Sequence, residues 1–161
     1  MDSLGFTEIS VPGTSGSLFI GPLPADEDVV RVIAEKGFDT VLSLATGEEL
    51  HDLGTPGLRD AFLSHMVNWT HFPIKDFDIP SAADTRAWKS IETILVERLK
   101  HGGRIVIHCR AGFGRSGMIA ARLLMACGTD PDEAVRIVRT ARPGTIETPA
   151  QLDWARSAGA A

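Results

Sequence analysis

An α/β fold, with a central and mostly parallel sheet covered by helices on both faces, is what this sequence predicts. Three observations carry the prediction. Short β-rich runs alternate with helical segments through the first two-thirds; the run "RIVIH" at 104–108 is apolar on both sides, as a central parallel strand is; and the last third reads as helix. At 161 residues the chain fits one domain, 1–161, with a core large enough to need no staples.

The elements follow in order. "SLFIG" at 17–21 is a first strand, closed by Gly21-Pro22. A helix over 26–36 presents Val29, Val30, Val32 and Ile33, and Gly37 ends it. "TVLSL" at 40–44 is a continuous apolar strand. Thr55 as N-cap and Pro56 at the first helical position open a helix through "TPGLRDAFLSHM". "VNWTHFPI" at 67–74 alternates Val67, Trp69 and His71 against Asn68, Thr70 and Phe72, the period of a third strand. Ser81 caps a long helix to about His101, with Trp88, Ile91, Leu95 and Leu99 on one face. After 104–108, the segment 115–127 is apolar almost all round and should pass through the core. Asp130-Pro131-Asp132-Glu133 supplies N-cap, N1 and a capping-box acid for the next helix, and Thr148-Pro149-Ala150-Gln151 repeats the pattern for the last.

Composition narrows the function classes. Hydrophobic residues make up 43% and charged residues 23%, and the net charge of −5 argues against a nucleic-acid or anionic-membrane surface, though not against one local basic site. No apolar run approaches the ~20 residues of a membrane span. "MDSLGFTEIS" lacks the basic and apolar regions of a signal peptide, so a cytoplasmic location is expected. Two cysteines make no disulfide framework. A helix over 115–127 would separate its ends by roughly 18 Å, beyond the ~7 Å a disulfide between Cys109 and Cys127 would span. Cys127 therefore reads as a small buried hydrophobe and Cys109 as a free thiol.

The chemistry concentrates in "RIVIHCRAGFGRSGM", 104–118. A loop between a central strand and a helix N-terminus gathers backbone N–H groups and the positive end of the helix dipole, so it suits an anion. From Gly112 the stretch spells G-x-G-x-x-G, the outline of a dinucleotide turn. That reading needs a strand ending in an acid about 20 residues later, where "CGTDPDEAVRIVRT" reads as loop and helix. From Cys109 the same stretch spells C-x5-R. The inward N–H groups of residues 110–115 (Arg110, Ala111, Gly112, Phe113, Gly114, Arg115) are expected to lower the thiol pKa and make Cys109 a nucleophile. Arg115 can grip two phosphoryl oxygens in a fork. Ser116 can donate to the thiolate, and His108 can fix the loop by hydrogen bonds. The bland reading is a buried strand-end cysteine beside a surface arginine.

"HCRAGFGRSG" resembles the H-C-x-x-G-x-x-R-[ST]-G signature of cysteine-dependent protein phosphatases. Within these the chain is similar to the dual-specificity branch, nearest the cyclin-dependent-kinase-associated phosphatases. The likeness takes in "SLFIGPLP", "GFDTVLSL", "EEL" at 48–50, "HFPIKDFDIP" and "RPGTIETPAQLDW", so it covers nearly the whole chain in order. It implies the cysteine-phosphatase fold. It also implies hydrolysis of phosphate monoesters, phosphotyrosine foremost with phosphoserine and phosphothreonine beside it, through a phosphocysteine on Cys109.

Such a route needs a proton donor for the leaving oxygen. "PIKDFDIPS" offers Asp76 and Asp78; by resemblance Asp76 matches the family's general acid, and Asp78 is held in reserve. Lys75 beside them either attracts an anionic substrate or faces solvent. Gln151, the only glutamine, lies where the family carries its water-orienting glutamine, yet at position N3 it could equally complete the capping box with Thr148. Arg142 is expected to brace the loop. No cofactor or metal is expected, since His51, His65, His71, His101 and His108 show no ligand spacing. The expected partner is a phosphorylated protein or a small phosphate ester. Three alternatives share parts of the pattern: a phosphoinositide or other non-protein phosphatase, a non-catalytic phospho-binding module, and a rhodanese-like sulfurtransferase, which the loop length and the Asp76 loop oppose.

Overall fold

The computed structural model describes residues 1–159. In chain order it contains β1 (Thr7–Ile9), β2 (Ser17–Gly21), α1 (Glu27–Glu35), β3 (Thr40–Ser43), α2 (Gly47–Asp52), α3 (Leu58–Ser64), β4 (Asn68–His71), α4 (Ala82–Lys100), β5 (Arg104–His108), α5 (Gly114–Ala126), α6 (Pro131–Ala141) and α7 (Pro149–Arg156). The sheet order is β1-β2-β5-β3-β4. β1 is antiparallel to β2, and the other pairings are parallel.

The Ile105–Val106–Ile107 run makes β5 the central strand because both its faces are dry. Side chains alternate across a strand, so Ile105 and Ile107 enter one core with α4, α5, α6 and α7, while Val106 enters a second with α1, α2 and α3. Each residue of α5 from Gly114 to Leu124 is buried, as the all-round apolar pattern predicts. Register places Gly21, His108, Ser43 and His71 side by side at the C-terminal edge of the parallel strands. In open α/β sheets that edge is where ligands bind.

Four sequence expectations need correction. The first strand is Thr7–Ile9, which carries no alternation and exists through its antiparallel pairing with β2. A short helix, α2, lies within 47–52, set by a capping box of Thr46 with Glu49. The next helix begins at Leu58 behind Gly57 and not at Thr55-Pro56; Thr55 is buried, and its hydroxyl donates to the Leu50 carbonyl to close α2. At α6 the Asp130 carboxylate caps as expected, but Glu133 pairs with Arg136 in place of completing a box. Ser81 and Thr148 cap α4 and α7 as predicted. Cys127 is half-buried at the C-cap of α5, and burial pushes its thiol pKa up. No helix among the described residues is long and apolar enough to cross a membrane.

Candidate active site

Residues 109–115 turn from the end of β5 into α5. Gly112 adopts φ +82°, and a Cβ there would collide with the backbone of Gly21, so only glycine fits. Three successive carbonyls of the loop are held from outside. His108 Nδ1 donates to Cys109 O at 2.9 Å, Leu23 N–H to Arg110 O at 3.0 Å, and Arg142 Nη2 to Ala111 O at 3.0 Å. In a trans peptide the N–H points opposite its C=O, so these three grips turn the amides of Arg110, Ala111 and Gly112 the other way. The Gly112 N–H meets Cys109 Sγ at 3.2 Å. Cys109 itself is buried, while Arg110 and Ala111 keep their side chains exposed. The sequence expected a loop built from inward N–H groups, and this is the local cause.

Arg115 is 1% exposed and heavily bound. Its Nη1 donates to Glu49 Oε2 at 2.7 Å and Ile74 O at 2.8 Å, its Nη2 donates to Glu49 Oε1 at 2.8 Å, and Asp76 Oδ1 lies 3.2 Å from Nη2. Its Nε is buried without a partner. Burial opposes the charge, but the Glu49 hydrogen bonds and the negative charges of Cys109, Glu49 and Asp76 outweigh it and raise the guanidinium pKa. For Glu49, burial pulls the carboxyl up; the hydrogen bonds from Arg115 and Thr46 together overcome it and hold the pKa below its ordinary value. Glu49 was legible only as part of "EEL". Its pattern, Thr46-x-x-Glu49, is a capping box, and that signal could have marked the helix which aims it.

The two candidate acids separate. Each carboxylate accepts from the next backbone N–H, Asp76 from Phe77 N at 3.1 Å and Asp78 from Ile79 N at 2.8 Å, but of the two it is Asp76 that also pairs with Arg115. Between them Phe77 is exposed, with φ +62°. Lys75 and Asp76 line a cavity of about 420 Å³ with Thr46, Glu48, Glu49 and Arg110.

Gln151 is fully buried and does complete the capping box. Its Oε1 accepts from Glu147 N at 2.9 Å and Thr148 N at 3.3 Å, and its Nε2 donates to Asp78 O at 3.2 Å, which ties α7 to the acid loop. Its amide lies against Gly114. Since an amide carries two N–H bonds, one stays open. Ser116 is fully buried with no partner on Oγ, so the expected bond to Cys109 is absent from the hydrogen bonds of the described residues. Arg142 braces the loop more widely than the sequence suggested. Besides Ala111 O it holds Gly5 O at 2.7 Å and Thr7 Oγ1 at 2.9 Å, and its guanidinium lies 4.4 Å from the Phe113 ring centroid.

Comparison with known proteins identifies the fold and the family. The family model described as "PTP-SAK: Swiss Army Knife protein, DSP-PTPase phosphatase domain" matches residues 14–154. A putative tyrosine phosphatase of invertebrate iridescent virus 3 is 30% identical over 125 residues, covering 66% of this chain and 52% of that protein. Rat cyclin-dependent kinase inhibitor 3 is 30% identical over 125 residues, covering 76% and 58%. Bovine protein tyrosine phosphatase domain-containing protein 1 is 27% identical over 133 residues, covering 77% of this chain but only 16% of its own length. The chain thus spans between about one-sixth and somewhat over half of these curated relatives. Among solved structures, kinase-associated phosphatase with its catalytic cysteine replaced by serine superposes at TM-score 0.85 with 23% identity, covering 96% of this chain and 93% of that one. Tk-PTP in its active form superposes at 0.76 with 29% identity, covering 94% and 95%. The fold is the dual-specificity phosphatase fold, and with seven-eighths of its length matched by one family model the chain belongs to the PTP-SAK family of DSP-PTPase phosphatase domains.

Proposed function

We propose that this chain hydrolyses phosphate monoesters on proteins, phosphotyrosine foremost, through a phosphocysteine on Cys109. The observation that carries the reading is the Arg115 guanidinium. Glu49 takes a bond from each of Nη1 and Nη2, Asp76 reaches Nη2, and Nε–H is left buried and unpartnered. A buried donor without an acceptor costs about 1–3 kcal/mol, and a phosphoryl oxygen would satisfy it.

The chemistry follows from these positions. Cys109 Sγ, as thiolate, attacks phosphorus; the S–P bond forms as the P–O bond to the leaving group breaks, and Asp76 gives its proton to the departing oxygen. Arg115 and the amides of the loop hold the equatorial oxygens, whose charge spreads in a loose transition state. In the second half, water attacks the phosphocysteine, Asp76 takes its proton, the S–P bond breaks, and inorganic phosphate leaves. In this reading the second N–H of Gln151, beside Gly114, orients that water. The unpartnered Ser116 hydroxyl is available to the thiolate as it departs.

The rim favours a protein substrate over an inositol phosphate. Around the cavity beside Asp76, Lys75 and Arg110 face Glu48, Glu49 and Asp76, a balance unsuited to a headgroup carrying several phosphates. A peptide panel with phosphotyrosine, phosphoserine, phosphothreonine and inositol phosphates tests this. Cys109→Ser should abolish p-nitrophenyl phosphate turnover while retaining binding; persistent turnover would overturn the nucleophile. Asp76→Ala should slow poor leaving groups most and flatten the basic limb of the pH profile. The same effect from Asp78→Ala would reassign the acid.

A further inference from the structure

The mechanism leaves one buried polar chain without a role. Ser43 ends β3, fully buried in a position that a parallel strand would fill with an aliphatic residue. A hydroxyl there is costly unless bonded. Register makes Ser43 the neighbour of His108 on one side and of His71 on the other. Trp69, two residues before His71 and therefore on the same face, donates its Nε1–H to Ser43 Oγ at 2.7 Å. Ser43 Oγ meets His108 Nε2 at 2.5 Å, and His108 Nδ1 meets Cys109 O at 2.9 Å.

The polarity of this chain is fixed by its ends. An indole N–H can only donate and a carbonyl can only accept. Nδ1 must therefore carry hydrogen to bond Cys109 O. A neutral imidazole then has a lone pair on Nε2, which requires Ser43 to turn its O–H toward the ring. The serine lone pair left over accepts from Trp69. Every donor meets an acceptor in one direction only, Trp69 to Ser43 to His108 to Cys109 O. The other tautomer would set lone pair against lone pair at Cys109 O.

We propose that Ser43 and Trp69 are positioning residues for this reaction, which lock His108 in its Nδ1–H tautomer and so hold the Cys109–Arg110 peptide with its N–H turned to the phosphate loop. This rests on the phosphocysteine reading for its kinetic consequence, but not for the tautomer. Burial agrees with a neutral ring, pushing the His108 pKa down to about 4. The groups facing the ring are His71 from β4, Arg115 from α5 and Glu49 from α2. Arg115 and Glu49 bind each other, so neither is free to charge the imidazole.

The test uses Ser43→Ala, Trp69→Phe and the hydroxyl-retaining Ser43→Thr. In 15N NMR at neutral pH, the His108 ring (assigned by its loss in His108→Asn) should show one protonated Nδ1 in the native protein and in Ser43→Thr. Ser43→Ala should keep the Nδ1–H that Cys109 O selects but lose the hydrogen bond at Nε2, so that the Nε2 resonance shifts toward that of an unbonded lone pair. Its kcat on p-nitrophenyl phosphate should fall about tenfold, with KM little changed and the pH dependence of Cys109 alkylation by iodoacetamide displaced; Trp69→Phe should move the same readouts less. Native Nε2 resonance, alkylation profile and kcat in both Ser43→Ala and Trp69→Phe would overturn the proposal. If Ser43→Ala does not fold, Trp69→Phe decides alone, since it keeps the ring and loses only the donor. An inactive native protein would sink the phosphocysteine reading, while the NMR arm would still judge the chain.

Discussion

At the scale of single residues, the proposed site rests on a charge pair in which Glu49 positions the guanidinium of Arg115. Glu49 takes two of the five N–H bonds of Arg115 and, with Ile74 O and Asp76, leaves Nε–H alone without a partner. The pair is 1% and 16% exposed, so loss of one partner strands a buried charge. Glu49→Ala should therefore lower the urea-derived unfolding free energy by roughly 3 kcal/mol and raise KM for aryl phosphates as the guanidinium loses its alignment. Unchanged stability and KM would mean that Ile74 O and Asp76 hold Arg115 sufficiently. The sequence made Cys109 and Arg115 legible because motif spacing on a strand–loop–helix frame fixes where those side chains go, whereas Asp76 was read only through the family resemblance of its segment. It could not show Glu49, because that contact joins residues 66 positions apart. Nor could it show that the Ser116 hydroxyl stands without a partner, since rotamers are decided by packing.

At the scale of elements, loops and caps are where sequence and structure part. The long periodic helices α4 and α5 and the apolar strands β3 and β5 were readable, since burial repeats at a recognisable period. β1 has three residues and α2 six, too short for any period to register. β1 is fixed by its pairing with β2, whereas α2 is fixed by its own local capping box. Gln151 illustrates an element-level function, since one side chain caps α7 and tethers the acid loop through Asp78 O. Gln151→Ala should cost about 1 kcal/mol through the lost cap and slow turnover, read as a lower melting temperature with a reduced kcat. The glycines make a sharper test. Gly112→Ala places a Cβ against Gly21 backbone and should abolish turnover, whereas Gly54→Ala, at φ +77° in open space, should cost only about 1 kcal/mol. Comparable activity in both variants would contradict the close approach of β2 to the loop.

For the whole molecule, the buried imidazole sets an acid limit. The folded His108 pKa, about 4, lies below its unfolded value of 6.5. Between those values the unfolded chain binds the extra proton, so stability is complete above pH 6.5 and declines as pH falls toward 4, by roughly 3 kcal/mol in all. Glu49, also depressed, adds its own loss below its ordinary value of 4.5. Urea midpoints measured from pH 7 to pH 4 should fall more steeply in the native protein than in His108→Asn; parallel slopes would show that His108 is not what limits acid stability.

The grip of Arg142 reaches beyond the cradle. One guanidinium holds Ala111 O of the phosphate loop and, by its other nitrogen, Gly5 O and Thr7 Oγ1 near the N-terminus. The leading strand is thus mechanically in series with the 109–115 turn. Proteolytic trimming of the first nine residues would slacken the turn at Ala111, and a cut far from Cys109 along the chain would register as lost turnover.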